Sequence, residues 1–179
     1  MEKKKITIIG AGMMGSALAF PAAENGHEVH IVGTCLDDKI IDGYLATGKH
    51  EKFCRPFPEN VNYHYFKDWK TVVEGSDFVI GGVSSFGVDW FLEEILIQLD
   101  PEMPVLSVTK GLRATDDGSL LSYPGYWMSE LAKRGIHRDI CAVGGPCTSY
   151  ELVFKDPTEV AFCGWDNEVL RMMKQAMQR

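Results

Sequence analysis

Along this chain, short and nearly unbroken apolar runs alternate with amphipathic stretches. Ile6–Ile9, Glu28–Val32, Asp77–Val83, Pro104–Thr109, Ile140–Val143 and Glu159–Cys163 read as strands, being short, rich in β-branched residues and bounded by turn formers. Between them, helical spacing fits Ser16–Phe20, Asp38–Ala46, Trp69–Glu74, Gly87–Leu99 and Leu120–Arg134. A further strand is predicted near Tyr63–Phe66, after a polar loop carrying Pro56 and Pro58. The last segment, Asp166–Arg179, reads as one amphipathic helix with Val169, Met172, Met173 and Ala176 on one face. Asn25 and Gly26 suit the end of the first helix. Pro21 predicts a kink or an early end there, since a proline inside a helix costs about 3 kcal/mol and removes a hydrogen bond. Apolar strands that alternate with helices must be covered on both faces, so the pattern predicts a mostly parallel sheet with helices on each side.

The first strand runs into Gly10, Gly12 and Gly15, a GxGxxG spacing that opens the first helix. In that context each glycine has a task. The first permits a tight turn, the second lets the backbone approach a pyrophosphate, and the third lets helix and strand pack closely. The phosphate then meets the unpaired N–H groups and the positive end of the helix. The fold class is therefore α/β, a doubly wound Rossmann-type sheet, and the turn predicts a bound NAD or NADP. The choice between the two stays open. The second strand ends in Val32, Gly33 and Thr34, where an acid would favour NAD; Asp37 and Asp38 lie beyond the strand end and suit the start of the next helix, and Lys39 suits a 2'-phosphate.

Composition narrows the partners. The 179 residues, 45% of them hydrophobic, suffice for one core, so residues 1–179 are read as one dinucleotide-binding domain. A formal net charge of -7 argues against a nucleic-acid backbone or an anionic membrane surface as the main partner. Cys35, Cys54, Cys141, Cys147 and Cys163 form no CxxC pair, and His27, His30, His50, His64 and His137 show no HxxxH or HExxH spacing. No metal site is expected, and a reducing, cytoplasmic setting is. Lys3–Lys5 with the apolar stretch after them superficially copy a secretory signal, but the three glycines interrupt its apolar region at positions that a nucleotide turn explains. No transmembrane stretch appears.

The second half supplies the remaining candidates. Lys110, with Gly111 and Leu112 after it, follows the strand Pro104–Thr109, at the end of the sheet where open α/β folds bind ligands. The stretch Gly144–Leu152 is read as a loop after another strand, and Pro157-Thr158 leads into the last one. Taken together, Gly10-Ala11-Gly12-x-x-Gly15, Asn25-Gly26-His27-Glu28-Val29, Thr109-Lys110-Gly111-Leu112, Gly145-Pro146, Glu151 and Pro157-Thr158 resemble the N-terminal domain of NAD(P)-dependent sn-glycerol-3-phosphate dehydrogenases, over nearly the whole chain.

That resemblance implies interconversion of sn-glycerol 3-phosphate and dihydroxyacetone phosphate. It implies cofactor contacts from Gly10, Gly12, Met13, Met14, Gly15, Thr34, Ser84, Ser85, Phe86, Lys110 and Ser149. It also implies substrate contacts from Lys110, Gly145 and Cys147, with Lys110 reaching the substrate oxyanion. Cys147 and Ser149 depart from the residues many relatives carry there. In the family the general acid/base and most of the phosphate grip belong to a helical C-terminal domain, which is expected to be absent from this chain, so that the chain alone binds cofactor with little turnover. An unpartnered face at Met172 and Met173 would favour self-association into a homo-oligomer. Two other readings stand beside this one: a stand-alone nucleotide-binding regulatory module, and a related dehydrogenase of another small alcohol.

Overall fold

The computed structural model describes residues 2–178. Strands β1 (Lys5–Ile9), β2 (Glu28–Val32), β3 (Val61–His64), β4 (Phe78–Gly81), β5 (Val105–Ser107), β8 (Ile140–Gly144) and β9 (Ala161–Cys163) form one sheet in the order β3-β2-β1-β4-β5-β8-β9. All neighbours run parallel except β8 and β9. The order reverses between β1 and β4, which creates the crevice where such sheets take ligands.

The alternation within each strand explains why both faces are covered. Ile6, Ile8, Val29, Ile31, Phe78 and Ile80 pack on the side of α1 (Met13–Glu24), α2 (Asp38–Thr47), α6 (Ser149–Phe154) and α7 (Asn167–Met177), with Leu18, Phe20, Tyr44, Val153 and Met173. Ile9, Val32, Val79 and Val105 point the other way. They meet Trp69, Phe91, Trp127 and Leu131 from α3 (Trp69–Val73), α4 (Val88–Phe91, extended by a π-helical turn over Leu92–Leu96) and α5 (Tyr123–Lys133). Each fully buried side chain of this size contributes about 1.5–3 kcal/mol, so leaving either face bare would forfeit more than the fold's net stability.

Several boundaries differ from the sequence reading, each for a local reason. The strand expected at Tyr63–Phe66 is Val61–His64, and Phe66 begins a 3-10 turn instead. The helix expected from Leu120 starts at Tyr123, because Leu112–Ala114 (β6) and Leu120–Ser122 (β7) form an antiparallel hairpin. Its turn is set by Gly118 at φ +82° and by the Asp117 carboxylate, which accepts from Ser119 N at 3.0 Å. Ser122 then caps α5, accepting from Gly125 N at 3.2 Å, with Pro124 in the first turn.

The stretch read as loop through Leu152 contains α6. Thr148 and Glu151 form a reciprocal capping box there, a Thr-x-x-Glu signature present in the sequence.

Pro21 does not end α1, which runs on to Glu24. The helix is buried continuously from Gly15 to Ala23, and this packing offsets the one hydrogen bond that Pro21 removes. Helix α7 does not present an unpartnered methionine face either. Met173 is fully buried against the fold's own core, and Asn25 Nδ2 donates to the carbonyls of Ala176 and Gln178, each at 3.0 Å. The far end of that predicted helix, Arg179, lies outside the described residues.

Candidate functional site

The glycine turn sits at the crevice between β1 and β4. Gly10 has φ +112°, and a Cβ there would stand 2.7 Å from the Gly82 carbonyl oxygen at the end of β4. A Cβ on Gly15 would stand 2.7 Å from the Gly10 carbonyl oxygen. Both glycines are therefore demanded by the protein's own packing. Gly12 differs. Its φ is an ordinary −68°, and the nearest atom to a Cβ there would be Gly82 O at 3.7 Å, an ordinary contact. Among the described residues nothing requires a glycine at that point, so the space beside Gly12 is open to a ligand. Gly12 is also the N-cap of α1 and brings no side chain to cap it. The N–H groups of the first turn, at Met13, Met14 and Gly15, thus have no intrahelical acceptor and suit an anion.

The loop after β2 is tied to this turn. Asp37 Oδ2 accepts from Thr34 N at 2.8 Å, from Thr34 Oγ1 at 2.9 Å and from Ala11 N at 3.2 Å. Asp37 is thus more than the first acid of a helix, and Thr34 spends its hydroxyl proton inside the protein. On the other side of the crevice, Ser84, Ser85 and Phe86 follow β4 as an exposed segment, with Phe86 98% exposed. Buried Thr109 fixes that segment from β5: its Oγ1 donates to Val83 O at 2.8 Å, and its N–H donates to Ser107 Oγ at 3.2 Å.

Lys110 and Gly145 come together, with Lys110 Nζ donating to Gly145 O at 3.1 Å. Gly145 needs its glycine, having φ +110° and Glu159 O only 2.9 Å from where a Cβ would be. Cys147 and Ser149 are placed differently. Both side chains are nearly buried, Cys147 Sγ reaching Thr148 O at 3.4 Å and Ser149 forming the first residue of α6. The loop therefore offers the crevice its Gly145 backbone ahead of these two side chains. Gly82 was missed in the sequence, Asp37 was read there only as a helix start and Thr109 only as part of a motif, because their contacts with Gly10, Ala11 and Val83 join residues distant in the chain. A groove of about 950 Å³ lies between α6 and α7 and is lined by Pro21, Thr158, Phe162 and Lys174 among others.

The family described as NAD-dependent glycerol-3-phosphate dehydrogenase N-terminus matches residues 5–169. An NADP(+)-dependent glycerol-3-phosphate dehydrogenase of Archaeoglobus fulgidus is 30% identical over 97% of this chain and 50% of its own length. A glycerol-3-phosphate dehydrogenase [NAD(P)+] of Clostridium botulinum is 25% identical over 86% of this chain and 44% of its own. The crystal structure of glycerol-3-phosphate dehydrogenase from Coxiella burnetii superposes with a TM-score of 0.82 at 22% identity, covering 99% of this chain and 51% of that one, a likeness of fold. The chain spans about half the length of the curated relatives it matches. With the glycine turn, the strand-end lysine and this match over most of its residues, the chain belongs to the family of NAD-dependent glycerol-3-phosphate dehydrogenase N-terminal domains.

Proposed function

We propose that this chain is the nucleotide-binding half of an enzyme interconverting sn-glycerol 3-phosphate and dihydroxyacetone phosphate. It holds NAD or NADP by the pyrophosphate at the Gly10–Gly15 turn. The observation that carries the reading is Gly12, a glycine that no packing contact of the protein requires, at the mouth of an uncapped helix. The N–H groups of Gly12, Met13, Met14 and Gly15 hold the pyrophosphate, and the loops at Thr34 and Ser84–Phe86 border the nucleoside ends. When bound, the cofactor supplies hydride exchange with C2 of the substrate.

Lys110 supplies the cationic wall. Its ammonium has three donors, one of them spent on Gly145 O, which fixes its direction and leaves two for a substrate oxygen. A positive charge held there stabilises negative charge developing on the carbonyl oxygen or neutralises the substrate phosphate. The Gly145 loop closes the same wall, with Cys147 beneath it. The small phosphorylated substrate is the partner this arrangement suits. The net charge of -7 and the five unpaired cysteines suit a reducing, cytoplasmic setting without nucleic acid. Among the described residues, no helix is long and apolar enough to cross a membrane.

A fluorescence titration of the chain with NADH and with NADPH tests the reading. Saturable binding of at least one, tighter than about 1 mM and displaced by ADP-ribose, is the expected outcome. Failure of both to bind at millimolar concentration overturns it.

A further inference from the structure

Ala11, between the first two glycines of the turn, has both backbone polar groups engaged by side chains from outside it. Its N–H donates to Asp37 Oδ2 at 3.2 Å. Its carbonyl accepts from Tyr44 Oη at 3.0 Å and from Ser16 Oγ at 3.2 Å, and those two hydroxyls lie 2.8 Å apart. Three short contacts share two hydroxyl protons, so the hydroxyls and the carbonyl form one small network in which either hydroxyl can donate a hydrogen bond to the other or to Ala11 O.

The network is deeply placed. Ala11 and Ser16 are fully buried and Tyr44 is 1% exposed. The Tyr44 ring is clamped by Phe57, Tyr63 and His50, at centroid distances of 5.2, 5.3 and 5.7 Å. A phenylalanine would fill the same apolar space. The hydroxyl brings a polar atom into the core and aims it at the turn, and burial also drives its ionisation up and out of reach, so it remains a donor.

We propose that Tyr44, acting with Ser16 and Asp37, is a positioning residue that presets the phosphate-binding turn before the cofactor arrives, withdrawing the Ala11 N–H and leaving those of Gly12 to Gly15 to meet the pyrophosphate. The proposal rests on the cofactor reading above. A turn held in its binding conformation by the core loses less freedom when the ligand arrives, which strengthens binding without any contact between Tyr44 and the ligand.

The test uses the 179-residue chain with Y44F, S16A and, as a control, Y63F. Tyr63 packs against the Tyr44 ring, but its hydroxyl makes no bond to the turn. NADH and ADP-ribose affinities are measured together with amide hydrogen exchange over residues 10–15 of the ligand-free protein. Y44F is expected to weaken both ligands equally, by about tenfold, the equivalent of about 1.4 kcal/mol, and to speed exchange in the turn. Equal loss places the effect in the ADP-ribose part that both ligands share, since ADP-ribose has no nicotinamide, and faster exchange over residues 10–15 places it at the turn. Y63F is expected to leave affinity and exchange at wild-type values.

Wild-type affinity in folded Y44F overturns the proposal, and so does an equal loss in Y63F. If Y44F does not fold by circular dichroism, S16A removes the other hydroxyl of the network and is read by the same criteria. If the wild-type chain binds neither cofactor, the cofactor reading fails. The exchange rates of the ligand-free variants then still decide whether Tyr44 presets the turn, unchanged rates refuting it.

Discussion

Replacing Gly12 and Gly10 by alanine separates what the protein needs from what the ligand needs. At Gly10 the new methyl group would stand 2.7 Å from Gly82 O, on a residue at φ +112°. The Gly82 carbonyl cannot easily retreat, because the Gly82 N–H is itself bonded to Ile9 O at 2.7 Å. Left-handed strain of about 1–3 kcal/mol and overpacking of a further 1–3 kcal/mol sum to about 2–6 kcal/mol, and the immobile Gly82 carbonyl puts G10A at about 3 kcal/mol or above in that range. For a domain of this size, where 1 kcal/mol moves Tm by about 2–4 °C, Tm should fall by at least about 6 °C.

At Gly12 the methyl group meets only ordinary contacts, the nearest at 3.7 Å. The cost is that of alanine at an N-cap, about 0.5–1 kcal/mol, so Tm should drop by no more than about 4 °C. Binding should reverse this order of severity for G12A, because the methyl occupies the space through which the pyrophosphate approaches the helix. A loss of at least about a hundredfold in NADH affinity, close to 2.7 kcal/mol, is expected. Differential scanning fluorimetry and fluorescence titration on the same samples read both quantities. The reasoning is refuted if G12A melts as low as G10A, or if it binds NADH as the wild type does.

Two further predictions concern stability. P21A should raise Tm: it restores an N–H able to reach Ala17 O, recovering about 3 kcal/mol of helix penalty, against about 1.6 kcal/mol for two lost buried carbons; a lower Tm would show that the ring's packing outweighs the missing bond. Stability should also fall between pH 7.5 and 5.5. His27 and His50 accept backbone N–H bonds at Nδ1, from Lys4 and Lys52, each at 3.1 Å, and so are held neutral. Burial lowers the pKa of both and of His64, and the neighbouring His30 ring, 2.9 Å from His64, adds to the effect there. With folded values below the unfolded value of about 6.5, the unfolded chain binds more protons in this window. The stability is therefore complete above that value and is lost as pH falls below it. Urea midpoints at the two pH values read the effect; equal midpoints would contradict the assignment, and H64Q should show a smaller drop than the wild type.

Most of the element order and the place of the candidate site were legible in the sequence because both are written locally. Runs such as Ile6–Ile9 and Glu28–Val32 mark strands by composition alone, and GxGxxG after a strand marks the turn by spacing alone. What misled the reading at Pro21 and Leu120 was the same reliance on local signals. A proline penalty of about 3 kcal/mol is decisive in an isolated helix and is outweighed in one buried from Gly15 to Ala23. The Leu120 helix began late because a cross-strand partner, Leu112–Ala114, lay outside any local window.

Tertiary structure alone decided three things. It showed that Gly10 and Gly15 serve packing while Gly12 has open space beside it, a distinction that depends in part on Gly82, far along the chain. It put Lys110 on the Gly145 carbonyl and turned Cys147 and Ser149 inward. It brought Asp37 and Tyr44 to Ala11. The physical reason is common to all three: periodicity states which way a side chain faces within its own element, whereas the partner it meets is set by how elements pack, and in a parallel sheet those elements are separated by long crossovers.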